Sequence, residues 1–323
     1  MTDEPLISVI TPTYNRAHVL GRAIGSLRSQ TLDNYEHIIV DDGSSDDTRD
    51  IVAAFADDRI RYLALPERRG ANTARNAGLD MARAPLVTFL DSDDEYRPHR
   101  LETTVGLFSR HPEIGLVSTS FITEKGGVAL KSINGDALLA PDTFERALIS
   151  HAIFIAGSAI TARRSTIRAA GGFDPTLWRM QDRELLLRMA RGEGVLLSSD
   201  VDWIKHESPD SISRPIEGYV QAFSELAARH PNLRENYPRI VAYIVARHIL
   251  HALLRRRPGL ALAEYRANRR SPALRFTPAD LVAGYIEGKK LRRQVREDVR
   301  RAPVPAPRPS PAAGDVSGVI QAC

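Results

Sequence analysis

The chain has a single cysteine, Cys323, and it is the last residue. No disulfide can form within the chain, which fits a reducing compartment and predicts a cytoplasmic protein. Long apolar runs are missing as well. Ile240 to Leu254 is the longest such stretch near the C-terminus, and Arg247, His248 and His251 leave it too short and too charged to span a bilayer. Met1-Thr2-Asp3-Glu4-Pro5 is acidic and has no apolar core, so no secretory signal is expected. No Gly-x-Gly-x-x-Gly follows the first apolar run and no Gly-x-x-x-x-Gly-Lys-Ser/Thr occurs, which excludes the usual dinucleotide fold and the P-loop. There is no internal repeat. The net charge of +4 creates no strong global field, and no nucleic-acid partner is expected. With 43% apolar and 26% charged residues, 323 residues suit one large α/β domain with an appendage.

What is present centres on Val87-Thr88-Phe89-Leu90-Asp91-Ser92-Asp93-Asp94. The run Leu86 to Leu90 reads as a strand buried on both faces. Three carboxylates at its end belong at the C-terminal edge of the sheet, where open α/β sheets place ligands. Clustered carboxylates raise one another's pKa, and a hard divalent cation relieves that conflict while bridging to substrate phosphates. Read alone, the cluster is equally a solvated acidic turn capping a helix that starts near Pro98.

Strand and helix alternate four times in the first hundred residues. Strands are expected at Leu6–Ile10, Glu36–Val40, Ile60–Leu65 and Leu86–Leu90, with helices from Ala17, around 48–55, at 70–82 and at 98–108. This is the pattern of a parallel sheet covered on both faces. Thr11 to Arg16 reads as a loop, because Pro12 cannot continue a central strand. Later segments are less regular. Strands are expected near 115–123, 128–133, 157–162, 195–197 and 201–204, and helices near 141–150 and 182–190. From Gly218 the chain becomes helix after helix: 219–228, 238–254, 259–267, 278–285 and 287–301. Between Arg229 and Arg301 there are 18 Lys/Arg against 6 Asp/Glu. That basic stretch is either a solvated helical face or a docking surface for an anionic membrane or acidic acceptor. Residues 302–323 are rich in proline and small residues and are expected to be disordered.

Polar clusters fall at three strand ends: Thr11 to Tyr14, Asp41-Asp42 and Asp91 to Asp94. In a parallel sheet they converge on one crevice. The ordered set Ile7-Ser8-Val9-Ile10-Thr11-Pro12-Thr13-Tyr14-Asn15-Arg16, Val40-Asp41-Asp42-Gly43-Ser44-Ser45-Asp46, Ala74-Arg75-Asn76-Ala77-Gly78 and Phe89-Leu90-Asp91-Ser92-Asp93-Asp94 resembles the non-processive, bacterial-type family 2 glycosyltransferases of GT-A fold. The resemblance covers roughly residues 5 to 207.

It implies an α/β GT-A fold, Rossmann-like with a mostly parallel sheet, followed by a C-terminal helical region. The domains expected are a glycosyltransferase domain over 1–217 (nucleotide half about 5–112, acceptor half about 113–217), a basic helical extension over 218–301 and the tail. Pro12, Tyr14, Asp42, Asn72, Arg75, Asp91 and Ser92 would bind the nucleotide, with Tyr14 against the base and Asp42 accepting from a uracil-type NH. Asp93 would be the direct ligand of Mn²⁺ or Mg²⁺, with Asp91 and His206 as further ligands. Asp94 would do no more than cap the next helix. In the family a Gly-Gly-Phe-Asp segment precedes an acidic pair; here Gly171-Gly172-Phe173-Asp174 precedes Gln181-Asp182. Asp182 would be the general base of an inverting transfer from a UDP-sugar, with Glu184 as the fallback. The acceptor would be a glycan, a lipid-linked sugar, a small molecule or a peptide, reached in the cytoplasm or from the inner face of the membrane. The alternatives are a non-catalytic sugar-nucleotide-binding module of the same fold and a sugar nucleotidyltransferase. The latter lacks its glycine-rich loop between Thr11 and Arg16.

Overall fold

The computed structural model describes residues 4–207 and 217–304. The first half-sheet is built by β1 (Ile7–Thr13), α1 (Ala17–Arg28), β2 (Tyr35–Asp41), α2 (Thr48–Ala54), β3 (Ile60–Ala64), α3 (Ala71–Met81) and β4 (Leu86–Phe89). Then come β5 (Glu95–Tyr96), α4 (Arg100–Arg110), β6 (Ile114–Lys125), β7 (Val128–Ser132), β8 (Ala137–Leu139) and α5 (Pro141–Ile149). A 3₁₀ turn at Gly157–Ala159 leads into β9 (Ile160–Arg163), α6 (Arg164–Ala169), α7 (Gln181–Met189) and β10 (Gly194–His206). The helical end comprises α8 (Tyr219–Arg229), α9 (Asn232–Asn236), α10 (Pro238–Leu254), α11 (Pro258–Arg270) and α12 (Pro278–Arg301).

One sheet runs β3-β2-β1-β4-β9-β6-β10-β5, with β7 added on β6 and β8 on β10. Strands β1 to β4 are mutually parallel, as are β6 and β10, and β9 joins the two halves antiparallel to both neighbours. The sheet is therefore mixed, and its parallel part puts the ends of β1, β2 and β4 on one edge. Helix α3 packs directly on β1 and β2 at Gly78, where a Cβ would lie 2.5 Å from Ile10 Cγ2. The Ala-Gly step of the third motif is thus a helix–sheet contact.

Several expectations need correction. Pro12 lies inside β1. It pairs with Val40 on one side, but β4 reaches only Ile10, so at Pro12 the strand has an unpaired flank where a missing N–H is tolerated. Helix α4 begins at Arg100 rather than Pro98, and no side chain caps it. The two short strands expected near 195 and 201 are one strand, β10, whose bulges let it follow β6 through shifts in register. The short β5 and β8 and helix α9 carry too few residues to show a period. The expected tail from residue 305 onward lies outside the described residues; Pro303 still accepts from Leu138 N at 2.9 Å.

Two helices were expected between Pro278 and Arg301; they are one, α12, opened by a Thr277–Asp280 capping box. Gly284 and Gly288, on either side of the expected boundary, face α10. A Cβ on Gly288 would sit 2.3 Å from Tyr243 Cβ and 2.5 Å from Arg239 O. Gly288→Ala is therefore expected to lower stability by about 1–3 kcal/mol through overpacking. Gly259→Ala, in a helix with nothing within 4 Å, should gain up to about 1 kcal/mol. Urea unfolding of the two variants checks the contrast; equal effects would mean the helices do not meet there. The helical end shares the main core, with Val220, Phe223 and Leu226 joining Phe173 and Leu185. Among the described residues no helix is long and apolar enough to cross a membrane.

Candidate active site

The ends of β1, β2 and β4 open into a cleft of about 570 Å³, whose lining includes Pro12, Tyr14, Asp42, Arg75, Asp91, Ser92, Asp93, Asp182 and His206. Nine of the ten residues expected to form the site thus surround one space. Asn72 does not. Its amide donates to the carbonyls of Asp174 (2.7 Å) and Leu177 (2.8 Å), so it anchors a loop.

Arg75 is almost fully buried and pairs with Asp91 at 2.7 Å. It lies over the ring of Phe173, which itself packs edge-on against Phe89. Asn76 holds Phe173 in place through a reciprocal pair, donating to its carbonyl and accepting from its N–H at 2.8 Å each. Gly172 has φ +69° and a Cβ there would meet Asn76 Oδ1 at 2.7 Å, which explains the glycine of the Gly-Gly-Phe-Asp segment. The third and fifth motifs are two sides of one contact that aims Arg75 at Asp91.

The three aspartates after β4 differ. Burial raises the Asp91 carboxyl, but Arg75 and then Lys205 outweigh it and hold its pKa below the usual range. Asp93 is pushed up by burial and by Asp91, against the pull of Arg16 at 3.3 Å. Asp94 is buried, accepts from Ser158 Oγ at 2.6 Å and is raised well above the ordinary value by burial and by Asp91. It neither caps α4 nor lines the cleft. Ser158 also accepts from Asp91 N at 3.1 Å, so the 3₁₀ turn fixes this loop.

Met180 adopts a left-handed conformation, φ +61°, and starts α7 so that Asp182 falls in its first turn. Gly157 separates Asp182 from Asp91: a Cβ there would be 3.5 Å from Asp182 Oδ1 and 3.6 Å from either Asp91 carboxylate oxygen. Asp182 Oδ1 is buried and has no hydrogen-bond partner. Burial raises its pKa, with Arg75 opposing and Asp91 adding to the rise. Glu184, the fallback base, is committed elsewhere, to Arg188 at 2.6 Å and His230 at 3.2 Å.

Asp42 uses both carboxylate oxygens to hold the backbone N–H groups of Arg69 and Gly70, each at 2.7 Å, while still facing the cleft. Arg68 lies 4.3 Å from the Tyr14 ring centroid. His206 Nε2 meets Glu95 at 3.1 Å and its Nδ1 faces Glu124 at 3.4 Å, so both ring nitrogens have carboxylate partners in this arrangement. Among the described residues no group of three or more His, Cys, Asp or Glu surrounds a common point. The donors that remain, Asp93 with Asp91 beside it, suit a hard ion that takes most of its oxygens from a bound diphosphate.

Sequence reasoning missed Lys205, whose pKa is raised by Asp94, Asp91, Asp93 and Asp182 against the cost of burial. A lysine directly after the strand expected at 201–204 was the available signal. It also missed Arg179, Arg183, His151 and Tyr219, which line the far end of the cleft. Tyr219 comes from α8, so the helical end completes the site.

The profile of glycosyl transferase family 2 matches residues 8–166. The chain belongs to that family. The UDP-Glc:α-D-GlcNAc-diphosphoundecaprenol β-1,3-glucosyltransferase WfgD of Escherichia coli is 38% identical over 109 residues, covering 34% of this chain and 43% of WfgD. The match thus spans less than half of that relative. TarS 1-349 of S. aureus, in complex with UDP-GlcNAc, superposes with a TM-score of 0.66 at 20% identity over 91% of both chains. The mannosyltransferase PcManGT from Pyrobaculum calidifontis, in complex with GDP-Man and Mn²⁺, gives 0.55 at 22% identity over 88% of this chain and 87% of that one. This family 2 member therefore has the GT-A fold, and its C-terminal helices are included in the superposition.

Proposed function

We propose that the protein transfers one sugar from a nucleotide-diphosphate sugar, UDP-linked, to an acceptor hydroxyl with inversion, using Asp182 as general base. The observation that carries this reading is the unpartnered Asp182 Oδ1 across Gly157 from the Arg75–Asp91 pair. The nucleoside would lie over Pro12 and Tyr14, beside Asp42, with Arg75 and Lys205 facing the diphosphate. Asp93, with Asp91 beside it, would hold Mn²⁺ or Mg²⁺, whose chemistry there is to neutralise charge on the departing diphosphate. Asp182 takes the proton of the acceptor hydroxyl as its oxygen attacks the anomeric carbon. A carboxylate is a weak base for an alcohol, so proton removal accompanies bond formation. Supporting the donor class are the UDP-sugar named for WfgD and the UDP-GlcNAc complex of TarS. The acceptor class that WfgD suggests is a lipid-linked sugar.

Calorimetric titration with UDP, in Mn²⁺ and in EDTA, tests the reading. Wild type is expected to bind more tightly in Mn²⁺. Asp93→Ala should lose that increment, a drop of about tenfold or more, the worth of one charge-assisted contact. Undiminished Mn²⁺-dependent binding in the variant would remove Asp93 from the metal role.

A further inference from the structure

Helix α7, which carries Asp182, starts at the left-handed Met180 and has no side-chain cap. Its position is therefore set by what holds the segment before it, Gly172 to Leu177. From α3, Asn76 takes both backbone groups of Phe173, and Asn72 donates to the carbonyls of Asp174 and Leu177. From the end of α8, Arg229 donates to the Asp174 carboxylate at 2.7 Å and to Thr176 Oγ1 at 2.6 Å. From α7 itself, Arg188 donates to the carbonyls of Gly172, at 2.6 Å, and of Ala170.

Arg188 holds that turn only while its own guanidinium is fixed. Glu184, one helical turn earlier, accepts from its Nε at 2.8 Å and from its Nη2 at 2.6 Å, a two-pronged pair. Glu184 Oε1 also meets Nε2 of His230, the residue that ends α8, at 3.2 Å. Glu184 and His230 are each 3% exposed. Burial raises the Glu184 carboxyl, but hydrogen bonds from His230 and Arg188 outweigh it and hold its pKa below the usual range. None of these three side chains is among those lining the active-site cleft. Replacing a buried ion pair by apolar residues is often neutral, so stability alone does not account for this one.

We propose that Glu184, Arg188 and His230 are positioning residues for the base: through Arg188 they bolt the Gly172 turn to α7, and so set Asp182 across Gly157 from the Arg75–Asp91 pair. The inference rests on the reading of Asp182 as base. The helical end thereby acts on the transfer through His230 without touching a substrate. Asn76 holds Phe173 from the α3 side, so loosening α7 leaves Arg75 and the donor end in place. A misplacement of about 1 Å at a reacting group can cost on the order of 10²-fold in rate.

The test follows nucleotide release from UDP-glucose, UDP-GlcNAc and GDP-mannose across pH, with calorimetric titration of UDP alongside. Wild type is compared with Asp182→Asn, Arg188→Gln, Arg188→Lys, Glu184→Gln and His230→Gln. In Arg188→Gln and Glu184→Gln, kcat should fall about 10- to 10²-fold, with KM for the sugar nucleotide and UDP affinity retained. Arg188→Lys keeps a cation for Glu184 and should recover part of the rate. His230→Gln, which can still donate to Glu184, should lose least. The acid limb of the profile should move down toward the ordinary carboxylate value of about 3.9, because burial is the main cause of the raised Asp182 pKa and a loosened α7 admits water. A merely structural role would lower the melting temperature but leave kcat and the acid limb of the folded enzyme unchanged, and that result overturns the proposal. Should Arg188→Gln and Glu184→Gln not fold, wild-type kcat in both Arg188→Lys and His230→Gln overturns it. An inactive Asp182→Asn beside variants that match wild type sinks this inference alone. Near-normal turnover in Asp182→Asn, or no release from any donor by wild type, sinks the base reading and this inference together.

Discussion

Asp182→Asn is expected to cut turnover by about 10²- to 10⁴-fold, the usual worth of general-base assistance, while UDP binding is retained. The substitution keeps the shape of the side chain and removes the lone pair that would receive the acceptor proton. Glu184 cannot replace it, because it is tied to Arg188 and His230, and Asp91 is held by Arg75. The pH profile adds a second readout. The base works ionised, so turnover falls as pH drops through its pKa. Burial, opposed by Arg75 and reinforced by Asp91, raises that pKa, so the acid limb should lie above the ordinary carboxylate value of about 3.9. Stability runs the other way. A carboxyl whose folded pKa is raised favours the folded state only at low pH, and ionised Asp182 costs stability at neutral pH. The Asn variant should therefore be at least as heat-stable as wild type while nearly inactive, and its acid limb should vanish. Near-normal turnover with a normal acid limb would sink the assignment of Asp182 as base.

The half of the fold that positions the donor end could be read from the sequence because its strands are continuous apolar runs, each followed by a polar cluster. Such runs are dictated by burial on both faces, and parallel pairing sends their ends to one edge. Proline misled at Pro12, since whether a strand needs every N–H depends on how far its neighbour extends. The boundary expected between 285 and 287 is absent, and Gly284 and Gly288 on either side of it make a close contact with α10. Asp91, Asp93 and Asp182 were legible as residue types in ordered motifs. Asn72 faces the Asp174–Leu177 loop, because a position one turn from Arg75 does not show which way an amide faces. Lys205 carried only the weak signal of a lysine after an expected strand, and Arg183 and Tyr219 carried none. Their roles come from β10, α7 and α8 meeting at the cleft, and no periodicity encodes that meeting.

Arg75→Met should destabilise the protein at neutral pH by about 1–3 kcal/mol, less than the loss of one partner of a fully buried ion pair, because the Asp91 side chain is 29% exposed to the cleft. Arg75 is 5% exposed and contacts Asp91 at 2.7 Å. Methionine fills much of the same volume and can still pack on Phe173, so the loss is chiefly electrostatic. The sign with pH follows from Asp91. Its folded pKa is depressed, so the pairing stabilises the fold above the unfolded carboxylate pKa and is lost as pH falls through the folded value. The gap between wild type and Arg75→Met in urea unfolding should thus be widest near neutrality and narrow in acid, as the variant's Asp91 takes up a proton. Lys205, which also acts on Asp91, sets the lower end of the range. The same change removes the cation nearest both Asp91 and Asp182, so UDP affinity should fall together with stability. A variant that kept wild-type stability across this pH range would mean that Lys205 alone balances the carboxylates. Arg75 would then serve the bound diphosphate and not the fold.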